Sequence, residues 1–212
     1  NPGIASSSPG VLMAAVASTT ERIRVGSGGV MLPNHPPLVV AEQFGTLEGL
    51  FPGRIDLDIG RAPGTDQMTA RALRRSTGPL SADDFPEQLT DLIGFFAGGL
   101  PPGHPFGSMV AVPTAGAGPA MWLLGSSGYS AQVAGVLGLP FAFAHHFSPR
   151  NTLPALDLYR RSFQPSDALD KPHAMVAVRV LVAPDDATAQ WLAGSAYLSF
   201  LHLIQGRPGP VP

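Results

Sequence analysis

Two short segments of the sequence carry the residue types needed to hold an anion. The first, IDLDIGRAPGTDQ (55–67), alternates Ile55, Leu57 and Ile59 with Asp56 and Asp58 and breaks at Gly60, leaving Arg61 and Ala62 on the lip of a strand. A guanidinium placed there suits an oxyanion through its planar N–H fork. It equally suits a surface salt bridge to Asp66 or Asp58, and the residues alone favour that use. The second, LLGSSGYSAQ (123–132), ends a strand with Gly125, Ser126, Ser127 and Gly128 and opens a helix around Ser130. Small residues let backbone N–H groups approach an anion, serine hydroxyls add donors, and a helix N-terminus adds partial positive charge. Ser126 or Ser127 acting simply as a helix N-cap is the competing use. Gly28 and Gly29, in GSGGVML, mark a bulge or a close backbone approach. His145 and His146 end PFAFAHH (140–146), where an imidazole can hydrogen-bond a ligand or serve the structure. No acidic partner stands at metal-ligand spacing from them, so no metal site is expected.

These residues need elements to position them, and the sequence has a strand-then-helix rhythm. IRVGSGGVML (23–32) predicts a strand, closed by PNHPP with His35 in its turn. LVVAEQFGTLEGLF (38–51) predicts a helix that carries Glu42 inward and ends at Pro52-Gly53. After the strand 55–60 and a loop, DDFPEQLTDLIGFFAG (83–98) has acidic caps, an apolar face of Leu89, Leu92, Ile93 and Phe96, and a glycine stop. Residues 99–119 read as a long Gly- and Pro-rich connection. Strands over 120–127, 140–146 and 173–183 follow, each with its helix, over 128–138, 153–164 and 186–206, and PGVLMAAVASTTERI adds a leading helix. Five strands each followed by a helix imply parallel pairing, hence an α/β fold. An open doubly wound sheet and a (β/α)8 barrel both remain.

Composition narrows the partners. The chain has 212 residues, 44% hydrophobic and 13% charged, with a formal net charge of −2, a globular balance for a single domain. Lys171 is the only lysine among 13 basic residues, and without a basic block neither nucleic acid nor an anionic membrane is an expected partner. No apolar run approaches the roughly 18 residues of a membrane span, and no signal-peptide pattern opens the chain, so a cytoplasmic location is expected. With Cys 0, disulfides, thiolate metal sites and cysteine nucleophiles are excluded. The first residue is Asn1, and a start upstream of it is expected.

RIRVGSGGVMLPNHPPLVVAEQFGTLEGLFPGRIDLDIGRAPGTD (22–66), followed by MWLLGSSGYSAQVAGVLGLPFAFAHH (121–146), resembles the luciferase-like flavin-dependent monooxygenases, the family of bacterial luciferase. The resemblance spans nearly the whole chain and implies a (β/α)8 TIM barrel, incomplete here, as a single domain over 1–212. It implies reduced FMN, supplied by a flavin reductase, and dioxygen used to oxygenate a small organic substrate. A deazaflavin coenzyme for hydride transfer, or flavin binding without catalysis, are the alternatives, and a homodimer is admitted. A sugar-phosphate barrel enzyme is an unrelated fallback that would need a Lys or Glu base at a strand end. By resemblance Arg61, with Ala62 beside it, reaches the flavin phosphate. Ser127 and Ser130 sit on that phosphate, with Gly125 and Ser126 close by. Gly28-Gly29 matches a non-prolyl cis peptide beneath the flavin ring, with a trans glycine bulge as the alternative. His145 and His146 face the ring as candidate catalytic residues. The family's histidine at the end of its second strand would lie before Asn1, and NPGIASSSP would follow it at the pocket mouth.

Overall fold

The computed structural model describes residues 8–62, 67–74, 83–113, 118–207 and 209. Its first compact unit is Pro9–Ala177. In chain order this unit runs α1 (Pro9–Ser18), β1 (Val25–Gly26), β2 (Val30–Met31), a 3-10 turn over Leu32–Asn34, α2 (Pro37–Leu50), β3 (Ile55–Gly60) and α3 (Gln67–Arg74). It continues through α4 (Phe85–Phe96), β4 (Ala120–Gly125), α5 (Gly128–Val136), β5 (Phe141–Ala144), α6 (Thr152–Ser162) and β6 (Ala174–Ala177). The second unit joins Asn1–Ser8 with Val178–Pro212. Within it lies α7 (Asp186–Ile204), whose N-cap carboxylate, Asp185, accepts the Thr188 N–H at 2.8 Å.

Every strand pair is parallel, and the sheet order is β1-β3-β4-β5-β6 with β2 also on β3. Each new strand therefore adds beside its predecessor in the sequence. A doubly wound sheet would reverse direction at a switch point, whereas a (β/α)8 barrel winds one way. The winding is that of one side of a barrel, which decides between the two α/β architectures.

β3 shows how the alternation becomes layers. Ile55, Leu57 and Ile59 are fully buried and pack with Phe44 and Leu47 of α2 and Leu89 and Leu92 of α4. Each such side chain contributes roughly 1.5–3 kcal/mol through removal from water. Asp56 and Asp58 take the opposite face. Asp56 pairs with Arg24 at 2.6 Å and accepts the Trp122 indole N–H at 3.2 Å.

The strand expected over 23–32 is broken. Val25↔Ile55 and Gly26↔Asp56 pair in one register, whereas Val30↔Ile59 and Met31↔Gly60 pair in another. Three residues on this strand thus face two on β3, a one-residue bulge. Ser27 fixes it, donating through Oγ to the Asp58 carbonyl at 3.1 Å and accepting the Asp58 N–H at 3.0 Å. The strands expected over 120–127 and 173–183 stop early, at Gly125 and Ala177. α3 lies where a loop was expected. Among its described side chains Ala70 is buried, while Met68 and Leu73 are exposed, and at eight residues it is only about two turns long.

Candidate functional site

Parallel pairing brings the C-terminal ends of the strands to one edge, where Gly60 pairs with Leu124, Gly125 with Phe143 and Ala144 with Ala177. A cleft of about 410 Å³ opens there. Gly28, Gly29, Arg61, Ala62, Gly125, Ser126, Ser127, Ser130 and His146 all line it, although they come from four separate stretches of sequence. A second hollow, of about 430 Å³, lies by the N-terminal ends of the strands, where the charges of Arg24 and Asp56 neutralise each other.

The bulge forms one wall. Gly28 has φ 63, the left-handed region that glycine tolerates best. A Cβ on Gly29 would stand 3.0 Å from the Asp58 carbonyl oxygen and 3.1 Å from Leu124 Cδ2. Among the described residues the cis peptide bond is Val112–Pro113. Gly28–Gly29 is therefore trans, which corrects the cis peptide that the resemblance implied; the backbone turns here through the positive φ of Gly28 and the extra bulge residue.

The opposite wall carries the donors. Ser127 stands at the N-cap of α5 with extended backbone, φ −142 and ψ 170, yet its hydroxyl makes no capping bond. The first-turn N–H groups of α5 thus keep free the positions that a cap would fill. Ser130, one turn in, is buried, and Gly125 makes room for it: a Cβ at Gly125 would lie 2.6 Å from Ser130 Cβ. Arg61 is half-buried, and its guanidinium carbon lies 4.2 Å from the centroid of the Tyr129 ring. The salt bridge expected between Arg61 and Asp58 does not form; Asp66 lies outside the described residues. A ring face attracts the guanidinium through its charge, and the Arg61 N–H donors make no hydrogen bond or ion pair with the described residues.

The family model described as luciferase-like monooxygenase matches residues 1–209. The chain belongs to that family. It is 49% identical over 210 residues to a luciferase-like monooxygenase of Escherichia coli strain K12, covering 99% of this chain and 61% of that protein. The crystal structure of apo-MsnO8 superimposes with a TM-score of 0.85 at 40% identity, over 98% of this chain and 61% of that one. The fold is shared more distantly with the oxygenating constituent of 3,6-diketocamphane monooxygenase of Pseudomonas putida, solved in complex with FMN. There the TM-score is 0.66 at 20% identity, over 93% and 60% of the two chains. The chain spans about three fifths of the length of these relatives, whose fold is the TIM barrel.

In this luciferase-like monooxygenase chain the two histidines separate. His146 lines the cleft, and its Nδ1 lies 3.3 Å from the Ala177 carbonyl. A carbonyl only accepts, so Nδ1 carries the proton and Nε2 has no partner among the described residues. His145 stands apart from the cleft wall, with Nδ1 2.9 Å from Thr152 Oγ1 and its N–H on Ala177 O. It ties the end of β5 to α6, a departure from the expectation that both rings face the ligand. The strand expected over 140–146 stops at Ala144, and both histidines lie in the turn that follows it, where the backbone reverses and parts the two rings.

Asp58 joins the site although no motif marks it. It lines the cleft and is buried, with Oδ2 accepting the Gly28 N–H at 3.2 Å. Burial pushes its pKa up from the ordinary 3.8, the Gly28 N–H opposes that rise, and Asp56 adds to it. Its parity on β3, opposite to that of Ile55, Leu57 and Ile59, was the available signal. Met31, Leu124, Ala142, Ala144, Phe147 and Met175 supply apolar wall. No group of three metal-ligating side chains occurs among the described residues, and none of their helices is long and apolar enough to cross a membrane.

Proposed function

We propose that the cleft binds flavin mononucleotide, with the phosphate at the N-terminus of α5 and the ring over the glycine bulge. The observation that carries this reading is the uncapped first turn of α5, with Ser126, Ser127, Ser130 and Arg61 around one space. These residues fit the group: a dianion meets backbone N–H groups, hydroxyls and a guanidinium, while a flat ring meets Gly28, Gly29, Leu124 and Met175. Arg61 and the α5 terminus would hold the phosphate, and Ala142, Ala144 and Phe147 would exclude water from the ring.

The activity that follows is oxygenation of a small organic substrate with reduced FMN and dioxygen. When bound, reduced flavin supplies two electrons, so that one oxygen atom enters the substrate and the other leaves as water. A separate flavin reductase would deliver the reduced cofactor. His146 would hold a hydrogen bond to flavin or substrate through Nε2, and Asp58 would fix the bulge through Gly28.

Titration of the protein with FMN, followed by flavin fluorescence, should give saturable quenching. No quenching at micromolar protein would overturn the reading. The absorption spectrum of the cofactor that copurifies, and its rate of reoxidation in air, distinguish FMN from a deazaflavin: reduced FMN is reoxidised rapidly by oxygen and a reduced deazaflavin is not. Substrate-dependent oxygen uptake coupled to a reductase should accompany FMN binding, and a protein that binds FMN without it would be a flavin carrier.

A further inference from the structure

We propose that Tyr129 is a positioning residue for the ligand's phosphate, because its ring stacks on Arg61 and fixes the guanidinium beside the N-terminus of α5. The proposal rests on the flavin reading and assigns a role to a residue that does not itself line the cleft.

Arg61 follows β3, and Ser127 follows β4, so the two halves of the anion site sit on separate loops. Tyr129 bridges them. It stands in the first turn of α5, between Ser127 and Ser130, and its ring centroid lies 4.2 Å from the guanidinium carbon of Arg61. The buried Phe85 of α4 packs edge-on against the same ring, with ring centroids 6.5 Å apart, and ties it to the core. A long arginine side chain otherwise loses rotamer freedom when a ligand immobilises it, and an arginine already held against a ring has given up part of that freedom before the ligand arrives. The mode of anchoring matters as much as its existence. A carboxylate partner would occupy N–H donors and cancel the charge, whereas an aromatic face uses neither. The tyrosine hydroxyl makes no hydrogen bond with the described residues, so the ring alone supplies the effect.

The test compares FMN with riboflavin, which has the same ring system and no phosphate, by fluorescence titration of the wild-type protein and the variants Y129F, Y129L, R61A and R61A/Y129L. Y129F keeps the aromatic face and should bind FMN within about twofold of wild type. Y129L should bind FMN about three- to tenfold more weakly, the range for a partly desolvated cation–π contact, while riboflavin binding stays within about twofold. In the R61A background the Y129L change should add nothing to the loss, because the two residues act on one interaction. FMN affinity unchanged in Y129L would overturn the proposal, as would a parallel loss of riboflavin, which would make Tyr129 a general packing residue. Absence of FMN binding in the wild type would instead overturn the flavin reading, and this proposal with it.

Discussion

Asp58 has one oxygen bonded to the Gly28 N–H and sits buried in the cleft wall, where desolvation raises its pKa from the ordinary 3.8. The consequence for stability has a definite sign. In the unfolded chain the group ionises at its ordinary value, so the native state binds more protons than the unfolded state between that value and the raised one. Native stability therefore falls as pH rises through this window and is level above it. An asparagine in its place would keep an acceptor for the Gly28 N–H without ionising. The melting temperature of D58N minus that of wild type should be near zero at about pH 3, below both values, rise with pH, and then plateau. A difference independent of pH would show that Asp58 keeps an ordinary acidity. The face that Asp58 occupies was legible from its alternation with three apolar neighbours, but its depth depends on the bulge and on β4, which come from distant sequence.

At the scale of elements, close approach explains most of the glycines that matter. Gly125 ends β4 where Ser130 returns from α5, and an added Cβ would meet Ser130 Cβ at 2.6 Å and Oγ at 2.7 Å. G125A should destabilise by about 1–3 kcal/mol, the range for overpacking, and weaken FMN binding by displacing Ser130; a variant with wild-type melting and affinity would show that the wall yields freely. Tyr159 joins α6 to the strands: its hydroxyl lies 2.9 Å from the Leu139 carbonyl and 3.2 Å from that of His173, and accepts the His173 N–H at 3.0 Å. Y159F removes the partner of the buried Leu139 carbonyl and of the His173 N–H, while the His173 carbonyl keeps the Phe141 N–H, and should cost about 1–3 kcal/mol by chemical denaturation. Elements with an apolar period, such as α2, β3 and α4, were legible to within a few residues. β1 and β2 look like one strand in the sequence because a bulge leaves the hydrophobic pattern nearly intact. α3 is short, and its place is set by contacts such as the Arg74–Asp84 ion pair with a later part of the chain, which local sequence does not show. The separation of His145 from His146 likewise needs the true end of β5, which local sequence leaves loose.

Across the whole molecule, one-way winding of parallel strands gathers residues from 28 to 146 at a single edge, so a ligand there stabilises several elements at once. FMN held at a hundredfold its dissociation constant should add about 2.7 kcal/mol to the stability of the unit that binds it, visible as a rise in melting temperature that riboflavin reproduces only in part. Sequence could name both halves of the anion site by resemblance, but not show that they meet; the pairing of Gly60 with Leu124 does that. In the flavin reading Arg61 and the α5 terminus hold one phosphate. That shared hold is tested most directly by the dissociation constant of FMN for R61A against wild type, measured by fluorescence titration. The expected loss is about 1.5–3 kcal/mol, the range for a charged hydrogen bond, or roughly 10- to 150-fold. An unchanged dissociation constant would contradict it and leave Arg61 a cation stacked on Tyr129 with no part in binding.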